Sequence, residues 1–259
     1  MLIAVTREVS TALERCELSY LPRTPIDVEL ARRQHRAYRE ALETLGCRVV
    51  ALPEVPEQAD SVFVEDTAVV LDEIAVITRP GAESRRAETE SMARALAEYR
   101  ELVAIETPGR LDGGDVLRVG RTLYVGQSAR SDRAGIGRLA AATAAYGYEV
   151  VPVEIRGCLH LKTAVTQVAP GLLLINPAWV ERRAFHEVDF LEVDPAEPHA
   201  ANAVWLPGGV IYPRSFPRTR ERLAGRRVPV VTVDMSETEK AEGGVTCCSL
   251  IFRSRAEAK

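Results

Sequence analysis

A pattern of paired strands that recurs along the chain constrains the fold more than any other feature. Each repeat has two short runs of apolar and β-branched residues joined by a tight turn, such as Asp66-Thr-Ala-Val-Val and Ala75-Val-Ile-Thr. This pattern indicates a β-hairpin. Similar segments repeated every 20–50 residues or so are typical of solenoids, propellers and arrays. The predicted hairpins start at Asp66, Asp115, Lys162, Asn202 and Cys247, which are 49, 47, 40 and 45 residues apart.

Stretches with helical periodicity lie between the hairpins. Apolar residues recur there at helical spacing among charged residues, a pattern that predicts amphipathic helices. Asp27, soon after Pro25, predicts a helix start, and Gly46 predicts its end. The predicted helices cover residues 27–45, 82–99 and 131–146, with shorter ones at 179–186 and 218–223. Short strands are predicted after helices at 49–52, 102–105, 150–155 and 230–233.

The repeating unit is therefore strand–strand–helix–strand. The fifth unit starts at Cys247 and needs a second strand from the N-terminal run Leu2-Ile-Ala-Val-Thr. Closure of a ring by both chain ends removes exposed sheet edges, although strand–helix alternation would also permit an open α/β sheet. Because the hairpins repeat more clearly than any βαβ crossover, we predict a single α/β domain over residues 1–259. It would be a five-bladed propeller closed by the N- and C-terminal strands, with the hairpin starts pointing into a central pit.

Composition limits the classes of partner. Aromatic residues make up only 5% of the chain, the net charge is −4 and the pI is about 5.7, which disfavours nucleic-acid binding. The sequence has no basic leader followed by an apolar stretch and no membrane-spanning run. Its five scattered cysteines fit reduced thiols better than a disulfide framework or a zinc site. We expect a cytoplasmic monomer or homodimer that acts on a small molecule and binds neither nucleic acid nor membrane.

Chemically versatile side chains stand at the hairpin starts. Each motif is common by itself, because cysteines are often small core residues and Gly-Gly-Asp often forms a turn. In a closed ring, however, they would all face the same pit. The converging residues are Glu65, Asp66, Asp112, Asp115, His160 and Cys247.

Two cysteines are adjacent at the last hairpin start. Neighbouring residues of a strand face opposite sides of the sheet, so only one of Cys247 and Cys248 can face the pit. We expect Cys248 to be a core residue. The other histidines, His35, His186 and His199, lie in charged or polar segments and are expected to be structural or exposed.

Four short motifs resemble those of dimethylarginine dimethylaminohydrolase, a family of the guanidine-modifying superfamily that also contains arginine deiminases and amidinotransferases. The resemblance runs from near the N-terminus to Phe252, and it implies a five-bladed α/β propeller. The motifs are Leu111-Asp-Gly-Gly-Asp-Val-Leu117, Leu159-His-Leu-Lys162, Asp234-Met-Ser-Glu237 and Thr246-Cys-Cys-Ser249.

The resemblance implies a role for individual residues. Cys247 matches the nucleophile, His160 the general acid/base, and Asp112 the acidic residue that orients the histidine. The family uses no metal and no organic cofactor. Substrate-binding roles are implied for Asp66 and Glu65 at the guanidinium, Asp60 and the Leu18 carbonyl at the α-ammonium, and Arg85 and Arg130 at the α-carboxylate.

The chemistry needs these residue types. A guanidinium is a poor electrophile, and a thiolate attacks it better than a hydroxyl does at neutral pH. His160 would then protonate the departing amine, leave an S-alkylthiouronium on Cys247 and activate water for the second step. The expected reaction converts N-methylated L-arginine, as asymmetric dimethylarginine or monomethylarginine, to L-citrulline and an amine.

Lys162 bears on the choice of substrate. In deiminases and amidinotransferases the corresponding residue is an aspartate that accepts hydrogen bonds from the terminal amino groups of arginine, and a lysine cannot accept them. A methylated guanidinium is therefore favoured over arginine. Hydrolysis of another N-substituted arginine such as N-hydroxyarginine, or arginine deimination, stays open. So does a non-catalytic arginine-binding protein, although binding alone needs neither Cys247 nor His160.

Overall fold

The computed structural model describes residues 1–255; residues 256–259 of the predicted domain lie outside this part. Fifteen strands form five three-stranded sheets. The strands are β1 (Leu2–Arg7), β2 (Cys47–Leu52), β3 (Ala68–Val70), β4 (Ile74–Ile77), β5 (Glu101–Ala104), β6 (Val116–Val119), β7 (Thr122–Gln127), β8 (Glu149–Glu154), β9 (Val165–Ala169), β10 (Leu172–Ile175), β11 (Asp189–Glu192), β12 (Val204–Leu206), β13 (Gly209–Pro213), β14 (Val230–Val233) and β15 (Leu250–Arg253). The helices are α1 (Val28–Thr44), α2 (Glu88–Leu96), α3 (Arg133–Thr143), α4 (Leu161–Ala164), α5 (Pro217–Gly225) and α6 (Ser236–Glu239).

All five sheets share one topology. The middle strand pairs antiparallel with the first strand and parallel with the third, in the orders β3-β4-β5, β6-β7-β8, β9-β10-β11, β12-β13-β14 and β15-β1-β2. A tight turn suffices for the antiparallel pair, whereas a parallel pair needs a longer crossover. The predicted strand–strand–helix–strand unit is confirmed.

The two ends of the chain meet in one sheet. Strand β1 pairs antiparallel with β15, from Leu2 opposite Arg253 to Val5 opposite Leu250, and parallel with β2. The first strands of all five sheets line a common central cavity of about 440 Å3. The predicted five-bladed arrangement, with a last blade completed by the N-terminal strand, is therefore confirmed.

The crossovers between middle and third strands hold the larger helices. Asp27 caps α1, because its carboxylate accepts a hydrogen bond from the Leu30 amide. The fourth crossover has only a 3-10 turn over Arg182–Ala184, which agrees with the short helix predicted there. The strand that follows it, β11, was not predicted, because its sequence Asp-Phe-Leu-Glu contains only two apolar residues.

Two predicted helices are shorter than their apolar pattern suggests. The helix expected over 82–99 is a 3-10 turn at Glu83–Arg85 followed by α2, because the side chain of Arg85 is held by buried partners. The helix expected over 131–146 begins after its N-cap Asp132, whose carboxylate accepts from the Gly135 amide. It ends in a 3-10 turn at Ala144–Tyr146.

Three of the hairpin starts are helical turns that lead into the strands. Residues Val64–Thr67 and Gly113–Asp115 form 3-10 turns, and α4 occupies the same place before β9. Cys247 and Cys248 also lie in a turn before β15, and not in the strand. Strand alternation is therefore the wrong reason for expecting one cysteine in the core, although Cys248 is fully buried in the core as expected.

Apolar side chains fill the spaces between neighbouring sheets. Each hydrophobic cluster joins strands of two adjacent units, such as β4 and β7 through Ile74 and Leu123. Among the helices of residues 1–255, none combines the length and apolar character that a membrane span requires. The ring of packed sheets holds the turns before the first strands close to one another, which places the candidate site.

Candidate active site

The turns before the first strands surround a small cavity of about 20 Å3. A second cavity of about 280 Å3 adjoins it and shares the Cys247 side chain. The ring therefore brings together the predicted nucleophile, the histidine and several of the predicted substrate-binding residues. The predicted residues that line the small cavity are Asp60, Asp66, Arg85, Arg130, His160 and Cys247.

His160 is held between two carboxylates. Its Nε2 lies 3.0 Å from Asp112 Oδ2, and its Nδ1 lies 3.9 Å from Asp66 Oδ1. Burial lowers the pKa of His160, but Asp66 and Asp112 outweigh burial and raise that pKa to about 9. The imidazole is therefore protonated at neutral pH and able to donate a proton.

Asp112 is held by hydrogen bonds on two sides. Its Oδ1 accepts a hydrogen bond of 2.8 Å from the Gly81 amide, and its own amide donates to Ser131 Oγ. The carboxylate is completely buried. An anchored carboxylate can hold the imidazole in one orientation, which is the arrangement that the sequence predicted for the pair.

Gly114 allows this close packing. A Cβ at this position would lie 2.7 Å from both Asp66 Oδ1 and His160 Nδ1. The Gly114 amide also donates a hydrogen bond of 3.0 Å to Asp66 Oδ1. The second glycine of the Gly-Gly-Asp motif is therefore required by the site itself.

Asp66 is the most strongly stabilised anion in the cavity. Burial raises its pKa, but His160 and Arg85 outweigh burial and lower it to about 2. Arg85 Nη1 lies 2.5 Å from Asp66 Oδ2. The carboxylate is thus ionised, as a guanidinium-binding group must be.

Arg85 is engaged by the protein on almost every donor. Beyond Asp66, it donates to both oxygens of Glu88 and to the carbonyl oxygens of Asp60 and Phe63. A guanidinium has five N–H donors, so little of Arg85 is free for a ligand. The contact of Arg85 with a substrate α-carboxylate stays a prediction. In the structure, Arg85 holds the Asp66 carboxylate in place through their ion pair.

Arg130 is less constrained. Its Nη2 donates to Ser19 Oγ over 3.2 Å, and its Nη1 lies 3.9 Å from Asp112 Oδ2. The side chain is 9% exposed. Arg130 is therefore better placed than Arg85 to receive a carboxylate.

The predicted α-ammonium residues lie where the N-terminal loop meets the cavity. Both oxygens of Asp60 accept from the Glu17 amide, at 3.2 and 3.1 Å. Leu18 follows directly and packs its side chain against the core. Their roles toward a ligand stay predictions.

Cys247 is half-buried, and a backbone N–H faces its sulfur. The Gly244 amide lies 3.3 Å from Sγ. Burial raises the pKa of the thiol, Glu65 and Asp66 raise it further, and the result is about 12. The resting group is therefore a thiol that becomes a nucleophile only when its surroundings change.

Glu65 and Lys162 form an ion pair beneath the nucleophile. Lys162 Nζ lies 2.5 Å from Glu65 Oε1, and the Lys162 side chain is only 15% exposed. The alternative in which Lys162 points to solvent is therefore wrong. Glu65 Oε2 accepts from Thr246 Oγ1 over 2.8 Å, and the Glu65 amide donates to the Cys247 carbonyl.

Two further acidic residues hold the backbone around the site. Asp115 accepts from the Leu161 amide and from Ser128 Oγ, which fixes the residue after His160. Burial raises the pKa of Asp115 to about 6. Glu242 accepts hydrogen bonds from three consecutive amides, those of residues 19–21. The sequence places Asp115 at a hairpin start without giving it a role, whereas nothing in the local sequence suggests Glu242.

One group within residues 1–255 has the geometry of a possible metal site. Donor atoms of Asp66, Asp112 and His160 lie within 4.8 Å of one another. The guanidinium groups of Arg85 and Arg130 lie beside these carboxylates, and His160 carries its own proton at neutral pH. The two anions are thus already balanced by cations of the protein.

Sequence comparison identifies relatives over most of the chain. The family described as N,N dimethylarginine dimethylhydrolase, eukaryotic, matches residues 23–189. The dimethylarginine dimethylaminohydrolase of Streptomyces coelicolor is 40% identical over 252 residues, which cover 96% of each protein. That of Pseudomonas aeruginosa is 38% identical over 228 residues, which cover 87% of this chain and 90% of the relative.

Structural comparison agrees. A cysteine-to-serine variant of the Pseudomonas aeruginosa enzyme in complex with citrulline superposes with a TM-score of 0.92 at 35% identity, covering 96% of this chain and 98% of that one. A dimethylarginine dimethylaminohydrolase with a histidine-to-glycine substitution, in an adduct with S-methyl-L-thiocitrulline, gives a TM-score of 0.91 at 36% identity, covering 97% and 100%. The chain therefore belongs to the dimethylarginine dimethylaminohydrolase family, and it is a hydrolase of that type.

Proposed function

We propose that this chain hydrolyses N-methylated L-arginine to L-citrulline and a methylamine, with Cys247 as the nucleophile and His160 as the acid/base. The observation that carries the proposal is that Cys247, His160 and Asp66 open on one cavity, with His160 hydrogen-bonded to a buried Asp112. The relatives bound to citrulline or to S-methyl-L-thiocitrulline support the substrate class.

The first step uses the resting protonation of the site. Burial raises the pKa of Cys247, and the Glu65 and Asp66 carboxylates raise it further, to about 12. Asp66 anchors the substrate guanidinium, and this cation offsets the effect of the carboxylates. A cation about 4 Å from the sulfur stabilises the thiolate by up to ~4 kcal/mol at an effective dielectric near 20. That is equivalent to lowering the thiol pKa by about 3, before desolvation is subtracted. The substrate thus helps to generate its own nucleophile.

Bond changes then follow at the guanidinium carbon. The Cys247 thiol releases its proton to solvent, the thiolate forms a C–S bond, and the bond from this carbon to the methylated nitrogen breaks. His160 donates its proton to the departing amine, which leaves an S-alkylthiouronium on Cys247. The neutral His160 next takes a proton from water, the water oxygen attacks the same carbon, and the C–S bond breaks. Citrulline is released as the hydroxyl proton of the tetrahedral intermediate passes to the departing sulfur, so that the thiol and the imidazolium are restored.

Lys162 supports the choice of a methylated substrate. Its ammonium group occupies Glu65 Oε1 at 2.5 Å, so this carboxylate is partly neutralised and less available to unmethylated amino groups. Each hydrogen bond to a charged partner contributes roughly 1.5–3 kcal/mol. Losing two of them would disfavour arginine by about a hundredfold or more, whereas methyl groups never make such bonds.

The test is kcat/KM for asymmetric dimethylarginine, monomethylarginine, N-hydroxyarginine and arginine on one preparation, with citrulline and the amine both quantified. The methylated forms should be preferred over arginine, and Cys247→Ser should give no citrulline. Rapid-quench mass spectrometry should find a covalent adduct on Cys247. A preference for arginine would contradict the Lys162 argument, and a preference for N-hydroxyarginine would assign the same mechanism to another substrate. Binding without product from any of the four would support the non-catalytic alternative.

A further inference from the structure

The segment before the first strand of the β12-β13-β14 sheet contributes none of the residues used in the mechanism above. It carries Asn202, which lies two residues before β12. The Asn202 side chain is buried, with 7% of the residue exposed. Asn202 also lines the larger cavity that shares Cys247. The mechanism above gives this residue no task.

The Asn202 amide makes three hydrogen bonds of 3.0 Å. Its Oδ1 accepts from the Thr246 amide, and its Nδ2 donates to Thr246 Oγ1 and to the Lys162 carbonyl. A flipped amide would place its NH2 group against the Thr246 N–H, so only one orientation satisfies all partners. The side chain therefore ties the turn that carries Cys247 to the turn that follows His160.

The chain of hydrogen bonds continues to Glu65. Thr246 Oγ1 accepts from Asn202, so its single proton is left for Glu65 Oε2, 2.8 Å away. Lys162 holds the other oxygen of Glu65, and the Glu65 amide donates to the Cys247 carbonyl over 3.1 Å. The segments before four of the five first strands are thus joined through Asn202.

Asn202 also lies against the residue whose amide faces the nucleophile. A Cβ on Gly244 would lie 2.4 Å from Asn202 Oδ1. The Gly244 N–H is the group 3.3 Å from Cys247 Sγ. The position of this amide is therefore set on one side by Asn202.

We propose that Asn202 is a positioning residue for the nucleophile, which holds the Gly244 N–H toward Cys247 Sγ and the Thr246 proton on Glu65. The inference rests on the proposed function, because it takes Cys247 as the nucleophile. No bond forms or breaks at Asn202. Its contribution is to keep a donor in place for the thiolate and to keep Glu65 Oε2 hydrogen-bonded to Thr246 while Lys162 pairs with Oε1.

Asn176 offers a matched control. It is also a buried asparagine, with 4% of the residue exposed. Its Nδ2 donates to the Pro198 carbonyl, and its Oδ1 accepts from the Ala178 amide. It lines neither cavity that contains Cys247. A general effect of losing a buried asparagine should therefore be the same for both residues.

The experiment compares wild type, Asn202→Ala, Asn202→Asp and Asn176→Ala. The first measurement is the rate at which iodoacetamide alkylates Cys247 as a function of pH, followed by mass spectrometry of the labelled peptide, and it needs no substrate. The second is kcat and KM for asymmetric dimethylarginine. Thermal unfolding of each variant checks that the protein is folded at the assay temperature.

Loss of the oriented amide should slow alkylation of Cys247 at neutral pH by about 10- to 100-fold. Asn202→Asp should slow alkylation further, because the introduced carboxylate keeps an acceptor but adds negative charge. kcat should fall by about 10- to 100-fold with KM changed less than about threefold.

The proposal is overturned if Asn202→Ala alkylates with the wild-type pH profile, or if Asn176→Ala shifts that profile equally. Alkylation also separates this proposal from the proposed function. If the wild type does not turn over methylated arginine but Asn202→Ala still shifts the profile, the positioning role stands alone. If the wild type turns over methylated arginine and Asn202→Ala keeps the wild-type pH profile of alkylation, only the positioning role is refuted.

Discussion

Replacing Asp112 with asparagine tests how the site sets the protonation of His160. The substitution keeps the size of the side chain and leaves an oxygen able to accept from the imidazole. It removes the negative charge whose Oδ2 lies 3.0 Å from His160 Nε2. Three carboxylates raise the pKa of His160, and the substitution removes only one of them. Asp66 and Asp115 still favour the imidazolium.

The expected size follows from that contact. A hydrogen bond with a charged partner contributes roughly 1.5–3 kcal/mol, and each 1.36 kcal/mol or so is equivalent to a change of one in pKa. The pKa of His160, about 9 in the wild type, should therefore fall to about 7–8. Turnover at neutral pH should fall less than the roughly 10²–10⁴-fold expected for His160→Ala, because a proton donor is still present.

The assay is the pH dependence of kcat for asymmetric dimethylarginine, together with an NMR titration of the imidazole. His160 must be protonated to donate to the leaving amine, so activity is lost as pH rises through its pKa. The alkaline limb should move toward lower pH in Asp112→Asn. Asp72→Asn, which removes a partly exposed carboxylate paired with Arg118, should leave the limb unchanged.

An unchanged His160 pKa in Asp112→Asn would refute the reasoning, because it would mean that Asp66 and burial alone set the protonation state. A shift in the NMR titration without any shift in the alkaline limb would identify a different group as the proton donor. Equal loss of substrate affinity in Asp112→Asn and His160→Ala, with kcat unchanged, would place both residues in binding only.

Other substitutions separate the remaining roles. Cys247→Ser should abolish turnover, whereas Cys248→Ala should keep turnover within a few-fold and cost about 1 kcal/mol of unfolding free energy; the reverse pattern would exchange the two cysteines. Gly114→Ala should lower kcat by about a hundredfold, since its Cβ would lie 2.7 Å from Asp66 and His160. Gly137→Ala, whose Cβ would meet nothing within 4 Å, should raise the unfolding free energy by about 0.5–1 kcal/mol. Enzyme kinetics and denaturant unfolding of both variants check these expectations. Arg130→Gln should raise KM for methylated arginine much more than it lowers kcat, and agmatine, which lacks the carboxylate, should be a poor substrate for the wild type; equal KM values in variant and wild type would remove Arg130 from the binding site.

The five-bladed fold could be predicted because each unit repeats the same hairpin pattern. Such a repeat can be recognised in the sequence without any knowledge of side-chain packing. The same repeats align Asp66, His160 and Cys247 at equivalent places, so their convergence follows from the fold. Helical turns of three or four residues, such as Val64–Thr67, escape detection because they are too short for a periodic pattern. β11 escapes detection because its outer edge position needs few apolar residues.

Contacts between distant turns could not be predicted. The donors of Arg85 are taken by Glu88 and Asp66, and this depends on how α2 packs beside the first turn. The Gly244 amide faces Cys247 only because of the local backbone path. Such contacts depend on side-chain rotamers and backbone dihedrals, for which a single sequence provides little information.

The pairing of β1 with β15 also has a consequence for the order of folding. Strand β1 pairs with β15, which is the last strand within residues 1–255. The turn that carries Cys247 immediately precedes β15. Loop closure over so long a separation is entropically costly and slow. The four inner units can therefore pack from mostly local contacts, while the reactive thiol joins its partners only in the closing event. We therefore expect the nucleophile site to be assembled only when the ring closes, so that partly folded chains lack it.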